Sequence, residues 1–277
     1  MMQRFAASLG TTMQDRILYT ACPLCGSTDI PEHMRGDCSK HPIYQSAISP
    51  VMVWQKCGGC GHVFTNGYFT DEAAGVMFSK TASGQAVIGG DVEKPRHISS
   101  RMIDKVLPFV DDGIWLDVGV GNGSLLFTAK EYGFTPVGLD LREDNVRALK
   151  QLGIESHCID IVELKLDRLC KVISMADVLE HMPYPRKGLA AANRLMADGG
   201  VLFISMPNSE SIVWTAMDMS KQNPYWGELE HYHNFSKTRL YALLGEFGFE
   251  PVRYGISERY RSCMEIIARK VRAAPSA

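Results

Sequence analysis

The 277-residue chain lacks the features that would point to a membrane, a secretory route or a charged polymer. No uninterrupted apolar run approaches the roughly 20 residues that a membrane-spanning helix needs. Residues 1–21 contain Arg4 but no continuous apolar core, so a secretory signal is not expected. The formal net charge of −2 gives no general attraction to a phosphate backbone, which makes nucleic acid an unexpected partner. These absences predict a cytoplasmic protein without a membrane partner.

Internal repeats and low-complexity tracts are also missing, which excludes a repeat architecture. With 45% hydrophobic and 22% charged residues, the composition is that of an ordinary globular protein. A chain of this length predicts one large domain and a smaller module. The composition indicates four segments, which are an N-terminal extension (1–20), a cysteine-rich module (21–68), a linker with a loop at 81–91 (69–96) and a larger domain (97–272).

Strand and helix patterns alternate along the larger domain. Apolar runs of strand length begin near residues 114, 135, 155, 171 and 201, and helical patterns lie between them. This alternation predicts an α/β fold with a mostly parallel sheet and helices on both faces. One helix is expected over 186–200, another after the N-cap residue Ser236, and two strands at the end. Residues 209–235 are too many for an ordinary connection, so they predict a functional insertion that covers a substrate.

A glycine-rich turn follows the first of these strands, in the stretch LDVGVGNGS at 116–124. Its glycines are Gly119, Gly121 and Gly123. Glycines at this point permit a tight turn and let a ligand approach the backbone closely. Asp140 follows the next strand about 20 residues later, where a carboxylate can accept hydrogen bonds from ribose hydroxyls. The spacing departs from the dinucleotide pattern, and Asp117 suits a positively charged cofactor better than a pyrophosphate.

The motifs LDVGVGNGS, GLDL, DVLEHMPYP and GGVLFISMPN, in this order, resemble those of class I S-adenosylmethionine (SAM)-dependent methyltransferases. The resemblance implies a Rossmann-like domain with a seven-stranded sheet. It also implies the cofactor-binding residues Asp117, Gly119, Gly121, Gly123, Asp140, Leu141, Asp160, Ile161 and Asp177. By this resemblance Asp117 lies near the amino group of SAM and Asp140 holds the ribose. Asp160 and Ile161 meet the adenine, and Asp177 lines the cofactor floor.

Two histidine-containing stretches offer a general base. Methyl transfer is an in-line displacement, for which a protein supplies proximity, orientation and, for a hydroxyl or carbon acid, a base. DVLEHMPYP offers Glu180 and His181, and WGELEHYHNFS offers Glu230 and His231 in the insertion. A histidine has an unperturbed pKa suited to proton transfer near neutrality. The predicted catalytic residues are His181, His231 and Glu230, although His181 could instead cap a helix or support the cofactor pocket.

Four of the eight cysteines form two Cys-x-x-Cys pairs, which are Cys22, Cys25, Cys57 and Cys60. Each pair can form a turn that supplies two thiolates, so the pattern predicts a small zinc ribbon with structural Zn²⁺. Four thiolates leave no open coordination position, which argues against catalysis by this zinc. Cys38, His41 and His62 lie close enough in sequence to replace a ligand. A redox dithiol is the other interpretation.

Chains that join a zinc ribbon to a methyltransferase domain resemble two groups. One comprises bacterial small-molecule methyltransferases, including sugar C-methyltransferases, in which the zinc module helps frame the substrate. The other comprises ribosomal-RNA guanine methyltransferases that begin with CPLC. The charge and the CGGCGH spacing favour the first group, and therefore a SAM-dependent enzyme that methylates a sugar nucleotide or natural-product intermediate. Ribosomal-RNA methylation and a non-catalytic, SAM-binding or zinc-bridged interaction protein are the alternatives.

Overall fold

The computed structural model describes residues 15–81 and 87–275 of the chain. The predicted N-terminal extension over 1–20 therefore lies mostly outside the described residues, as does the middle of the loop expected over 81–91. Within the described ranges, none of the helices has the length and apolar character of a membrane span.

Strands and helices alternate beyond residue 93 as the sequence predicts. The strands are β1 (Arg16–Leu18), β2 (Glu32–Asp37), β3 (Val51–Lys56), β4 (Val63–Thr65), β5 (Gly67–Phe69), β6 (Ile114–Val118), β7 (Thr135–Leu139), β8 (Glu155–His157), β9 (Cys170–Ala176), β10 (Met196–Pro207), β11 (His233–Asn234), β12 (Phe249–Ile256) and β13 (Cys263–Lys270). The helices are α1 (Asp71–Thr81), α2 (Glu93–Val106), α3 (Ser124–Glu131), α4 (Glu143–Gln151), α5 (Pro185–Leu195), α6 (Ile212–Met219) and α7 (Lys237–Glu246). Two short 3₁₀ helices span Leu179–His181 and Pro224–Gly227.

A seven-stranded sheet forms the centre of the larger domain, in the order β12-β13-β10-β9-β6-β7-β8. Neighbouring strands are parallel from β8 to β10, and β13 is antiparallel to both β10 and β12. This arrangement confirms the predicted, mostly parallel, Rossmann-like sheet. The chain leaves β6 for β7 on one side and later returns with β9 on the other. That reversal opens a crevice at the carboxyl ends of β6 and β9, where ligands bind in open α/β sheets.

Alternate residues of the central strands face two separate apolar layers. Trp115 and Val172 pack with residues of α2 and α3, whereas Leu116 and Ile173 pack with residues of α5 and α7. Helices therefore cover both faces of the sheet. Strands that are buried on both faces read as continuous apolar runs, which is why the sequence predicts them well.

Helix α5 is shorter than the sequence predicts. The helix ends at Leu195, and the next five residues are the irregular start of β10, whose register against β9 shifts between Met196 and Val201. Gly199 adopts a left-handed φ of 74° within this irregular part. The prediction of helix up to residue 200 is therefore wrong in its last turn, because the Gly-Gly pair shapes an irregular strand entry rather than a helix end.

The N-terminal residues form two small sheets, one of β1 and β5 and one in the order β11-β4-β3-β2. Strand β11 belongs to the insertion at 209–235, and it pairs antiparallel with β4. Helix α1 packs on this region through Ala73 and Met77, in a segment for which the sequence predicts a linker. The insertion and the cysteine-rich module therefore share one sheet.

Candidate functional site

The glycine turn at the carboxyl end of β6 has a backbone that only glycine adopts easily. Gly119, Gly121 and Gly123 have φ values of 72°, 55° and 85°. A Cβ atom on Gly123 would lie 2.7 Å from the Phe127 ring, whereas one on Gly121 would meet no atom within 4 Å. The turn is therefore tightly packed behind Gly123 and opens onto free space at Gly121.

Asp140 lies beside this turn, as the sequence predicts. The residue is buried, and its Oδ2 accepts a hydrogen bond from Asn145 Nδ2 at 3.0 Å. The same amide nitrogen lies 3.2 Å from the carbonyl oxygen of Gly121. Asp140 Oδ1 accepts from the backbone N–H of Arg142 at 2.8 Å. Asn145 thus connects the Asp140 carboxylate to the glycine turn, which orients both toward the same crevice.

Asp117 lies within β6 and is almost fully buried. Its Oδ1 accepts a hydrogen bond from Ser174 Oγ at 2.5 Å, and that hydroxyl accepts one from Trp115 Nε1 at 2.8 Å. Burial raises the pKa of the Asp117 carboxyl to about 7. The side chain is therefore partly protonated near neutrality, and a cationic group placed beside it would favour ionisation.

The crevice widens into a cavity of about 620 Å³. Its lining includes Gly119 and Gly121 of the glycine turn, Arg142 and Asp177, together with Glu180, His181, Glu228, Glu230 and His231. A separate cavity of about 690 Å³ lies beside Cys22 and Cys25, and none of the predicted cofactor-binding residues lines it. The first cavity is therefore the candidate site, because it joins the glycine turn to the predicted histidines.

Asp177 occupies the floor of this cavity with an unusual backbone. Its φ of 58° lies in the left-handed region, which costs energy for a residue other than glycine. Its Oδ1 accepts from Ser205 Oγ at 3.2 Å, and its Oδ2 lies 3.2 Å from Arg259 Nη1. Burial raises the pKa of Asp177, and the Arg259 guanidinium opposes that rise. Arg259 gives no sequence signal, since it lies on the connection between the last two strands.

Of the nine predicted cofactor-binding residues, only Gly119, Gly121 and Asp177 line the cavity. Asp117, Gly123 and Asp140 belong to the glycine turn and its surroundings without lining the cavity, and Leu141, Asp160 and Ile161 do not line it either. Leu141 is 74% exposed, Asp160 is exposed, and Ile161 is buried in the apolar core. Asp160 Oδ1 instead accepts a hydrogen bond from the backbone N–H of Val162 at 2.8 Å. These residues follow β7 and β8 at the same sheet edge as the glycine turn, but the structure places them outside the cavity wall.

His181 and His231 come together in the cavity wall. Their rings are perpendicular, with centroids 4.7 Å apart. His181 Nδ1 lies 2.9 Å from the carbonyl oxygen of Glu230. Because a carbonyl can only accept, Nδ1 carries a proton, and in the neutral form of the ring Nε2 is the proton-accepting nitrogen. His231 is buried, which lowers its pKa well below the usual value and makes it a poor proton acceptor.

Glu180 is buried beside these two histidines. Neither oxygen of its carboxyl group has a hydrogen-bond partner among the described residues, and the same is true of His231 Nδ1. Burial raises the pKa of Glu180 well above its usual range, which favours its neutral form. One side-chain atom from each of Glu180, His181 and His231 falls within 4.8 Å of the others. The cavity therefore presents unpartnered polar atoms next to His181.

The four predicted zinc ligands converge. The Sγ atoms of Cys22, Cys25, Cys57 and Cys60 all lie within 4.8 Å of one another, with Cys22–Cys60 at 3.8 Å and Cys25–Cys57 at 3.4 Å. A Zn–S bond of about 2.3 Å gives a tetrahedral edge of about 3.8 Å. The donor set and its spacing therefore fit Zn²⁺.

The two cysteine turns have the same backbone hydrogen bonds. The backbone N–H of Cys22 donates to Ser27 and that of Gly26 to Cys22, and the turn that begins at Cys57 repeats this pattern with His62 and Gly61. Gly26 and Gly61 have φ values of 77° and 72° at the matching position.

The alternative ligands have other partners. The Cys38 thiol donates to the carbonyl of Ser49, and His41 pairs with Glu228. His62 Nε2 lies 3.0 Å from His233 Nδ1. Because His233 Nε2 donates to the carbonyl of Met182, His62 is the donor in this pair. None of the three belongs to the cysteine cluster.

A family model for a methyltransferase domain matches residues 95–254. The ubiquinone biosynthesis O-methyltransferase of Nitrosococcus oceani is 32% identical over 101 residues, which are 34% of this chain and 43% of that protein. The enzyme of the same name from Erwinia tasmaniensis is 26% identical over 162 residues, which are 54% of this chain and 66% of that protein. The chain thus spans less than half the length of the first of these curated relatives.

Two solved structures have a similar fold. The 1,6-didemethyltoxoflavin-N1-methyltransferase of Burkholderia thailandensis, with its substrate and S-adenosylhomocysteine bound, gives a TM-score of 0.54 at 18% identity, over 76% of this chain and 96% of that one. The magnesium protoporphyrin IX methyltransferase of Synechocystis PCC 6803, with S-adenosylhomocysteine bound, gives 0.51 at 19% identity, over 68% of this chain and 89% of that one. At these identities the likeness is one of fold.

Proposed function

The chain belongs to the methyltransferase-domain family and has the fold of class I SAM-dependent methyltransferases, and from this premise we propose that it methylates a small-molecule acceptor. The observation that carries the proposal is that the glycine turn and His181 line the same cavity. The curated relatives named above act in ubiquinone biosynthesis, and the two structural neighbours act on a toxoflavin precursor and a porphyrin. These acceptors are small molecules, which favours a metabolite such as a sugar nucleotide or natural-product intermediate over ribosomal RNA.

The proposed cofactor site uses the residues at the carboxyl ends of β6 and β7. The backbone of the glycine turn receives the methionine part of SAM, the buried Asp117 lies behind that turn, and Asp140 accepts hydrogen bonds from the ribose. Leu141, Asp160 and Ile161 remain proposed for the adenine end. Asp177, held by Arg259, forms the floor. Bound SAM supplies an electrophilic methyl group on a sulfonium.

His181 is the proposed base, with His231 and Glu230 in support. The bond from Nδ1 to the Glu230 carbonyl fixes the ring and leaves Nε2 to take a proton from an acceptor hydroxyl or carbon acid. His231 packs edge-on against that ring and limits its rotation. Burial favours the neutral form of Glu180 next to it, which limits the negative charge near the sulfonium.

The test measures S-adenosylhomocysteine formation from SAM with a panel of small-molecule acceptors and a ribosomal-RNA fragment. We expect turnover with a small molecule, and a loss of about 10²- to 10⁴-fold in His181→Ala. His231→Ala should also depress turnover much more than SAM affinity. Turnover only with RNA would contradict the small-molecule proposal. SAM binding without product across the whole panel would indicate a non-catalytic binding protein.

We also propose that Cys22, Cys25, Cys57 and Cys60 hold one structural Zn²⁺. We further propose that the chain divides into an extension (1–20), a zinc ribbon (21–68), a linker (69–96) and a catalytic domain (97–272). Helix α1, in the linker, packs on the zinc ribbon, and strand β11 of the catalytic domain pairs with β4 of the ribbon. These contacts favour a close association of the three segments.

A further inference from the structure

The insertion that walls the cavity is fastened to the N-terminal module by backbone contacts. Besides the β4–β11 pair, the backbone N–H of Thr65 donates to the carbonyl of Tyr232 at 2.9 Å. Trp54 Nε1 donates to the carbonyl of Trp226 at 2.8 Å. A Cβ on Gly36 would lie 1.7 Å from that same carbonyl oxygen, so β2 approaches the insertion as closely as backbone allows. Residues 226–234 therefore rest on the module.

From that module one side chain, His41, reaches a carboxylate of the cavity wall. His41 Nε2 lies 2.6 Å from Glu228 Oε1, and Glu228 lines the cavity. The two side chains are only 14% and 26% exposed, so solvent screens their attraction weakly. Glu228 Oε2 has no hydrogen-bond partner among the described residues, and is available to a ligand.

The carboxylates around His41 favour its protonated form. The hydrogen bond that His41 donates to Glu228 raises the pKa of His41 above its usual 6.5, and Glu230 adds to that effect. His231 is also close to His41, but it is neutral because burial lowers its pKa. His41 therefore faces two carboxylates. Glu228 is hydrogen-bonded to it, and an oxygen of Glu230 lies within 4.8 Å.

We propose that the His41–Glu228 pair is a recognition element of the acceptor site. Glu228 accepts a hydrogen bond from a hydroxyl or ammonium group of the acceptor, and His41 is the positioning residue that orients this carboxylate. The proposal rests on the proposed function, because it assigns this side of the cavity to the methyl acceptor. An acceptor that presents a carboxylate or phosphate at this wall is disfavoured, because Glu228 and Glu230 repel it.

The first experiment tests the pair itself by proton–carbon NMR titration of the histidine rings in the full-length protein with S-adenosylhomocysteine bound. The His41 signal is assigned by its loss in His41→Gln. We expect the pKa of His41 to exceed 6.5 in the wild-type protein and to fall in Glu228→Gln. Glu230→Gln is the matched control and should lower it less. A His41 pKa that does not respond to Glu228→Gln overturns the proposal.

The second experiment tests positioning in the same proteins by hydrogen exchange and kinetics. His41→Ala should raise amide exchange in residues 226–234 by about tenfold, the effect of one lost charge-assisted hydrogen bond. Exchange at 117–123 and the affinity for S-adenosylhomocysteine should stay unchanged. His41→Gln, which keeps a donor, should restore part of the protection. Unchanged exchange at 226–234 in His41→Ala overturns the proposal, whereas loss of S-adenosylhomocysteine binding by the wild-type protein would instead overturn the proposed function.

With any small molecule that yields turnover, His41→Ala should raise the acceptor KM by about tenfold while the SAM KM stays constant. A smaller increase should appear in the wild-type protein as the pH rises through the raised pKa of His41, because the ion pair is present below that pKa and its charge attraction is lost above it. A change confined to kcat contradicts a recognition role.

Discussion

Asp177 shows at the scale of a single residue that the cavity floor is under strain. Its left-handed backbone costs about 1–3 kcal/mol, and it persists because Ser205 and Arg259 hold the carboxylate. Such strain clusters at binding and catalytic positions. The feature fits a floor whose shape is fixed before any ligand arrives.

Asp140→Asn is expected to weaken S-adenosylhomocysteine binding by roughly 10- to 100-fold, because an amide replaces the charged acceptor proposed for the ribose hydroxyls. Isothermal titration calorimetry measures the change. Asp144→Asn is the control, since that side chain is 87% exposed at the start of α4 and should bind like wild type. Full affinity in Asp140→Asn would remove this residue from the ribose site.

Gly123→Ala is expected to lower the free energy of unfolding by at least about 1–2 kcal/mol, the cost of a left-handed alanine, with more from the contact to Phe127. Gly245→Ala is the matched control, because it lies in α7 with no atom within 4 Å of the new Cβ. Alanine there should stabilise the helix by about 0.5–1 kcal/mol. Urea titration measures the free energy of unfolding of both variants, and equal values would contradict this prediction.

Spacing along the chain predicts some site residues and misses others for a physical reason. The glycines and Asp140 lie at strand ends in a fixed order, so their pattern is local. His41 and Glu228 are 187 positions apart, and Arg259 and Asp177 are 82 apart. Only the folded sheets bring these charges together, so no local pattern indicates their pairing.

The N-caps of α6 and α7 offer a comparison at the scale of the secondary-structure element. Ser211 and Ser236 each accept a hydrogen bond from the backbone N–H three residues on. Helix α7 buries three leucines, whereas α6 buries only Trp214. The sequence prediction of Ser236 as an N-cap is confirmed.

Ser236→Ala should therefore lower the global free energy of unfolding by about 1 kcal/mol, because α7 is part of the main core. Ser211→Ala removes the same bond from a helix with few buried contacts. It should change global stability less and should instead raise amide exchange over 212–219. Urea titration and hydrogen exchange together check this, and a larger global loss in Ser211→Ala would contradict it.

Elements with continuous apolar runs are predictable from the sequence, and those that depend on tertiary contacts are not. Strands of the seven-stranded sheet are buried on both faces and stand out as apolar runs. Among the side chains of α1 that the structure describes, at 71–77, the buried ones are Ala73 and Met77, so this stretch gives a weak helical pattern. Strand β11 has two residues and exists only because β4 lies beside it.

Zinc removal is expected to destabilise the N-terminal module while leaving the cofactor site of the seven-stranded sheet intact. Metal analysis should find about one zinc per chain, and Cys57→Ser should lose it because the substitution removes a ligand. A module of under about 50 residues lacks enough core to fold without the metal. Exchange should then rise over residues 16–69 and 226–234. The affinity for S-adenosylhomocysteine should change little, because the glycine turn belongs to the seven-stranded sheet.

Cys158→Ser is the control for this experiment, since Cys158 is exposed and lies outside the cysteine cluster. It should keep both zinc and exchange protection. A native protein without zinc, in which all four clustered thiols react freely with a thiol reagent, would refute the zinc site.

The pairing of β4 with β11 also sets an order of events during synthesis. His62 and His233, neighbours at this pair, are 171 positions apart, so the ribosome completes most of the central sheet before β11 emerges. Until then the edge of β4 is an unpaired row of backbone groups that another nascent chain can occupy. The module therefore closes in a late docking step, and the time between the emergence of β4 and β11 is when this protein is most exposed to aggregation.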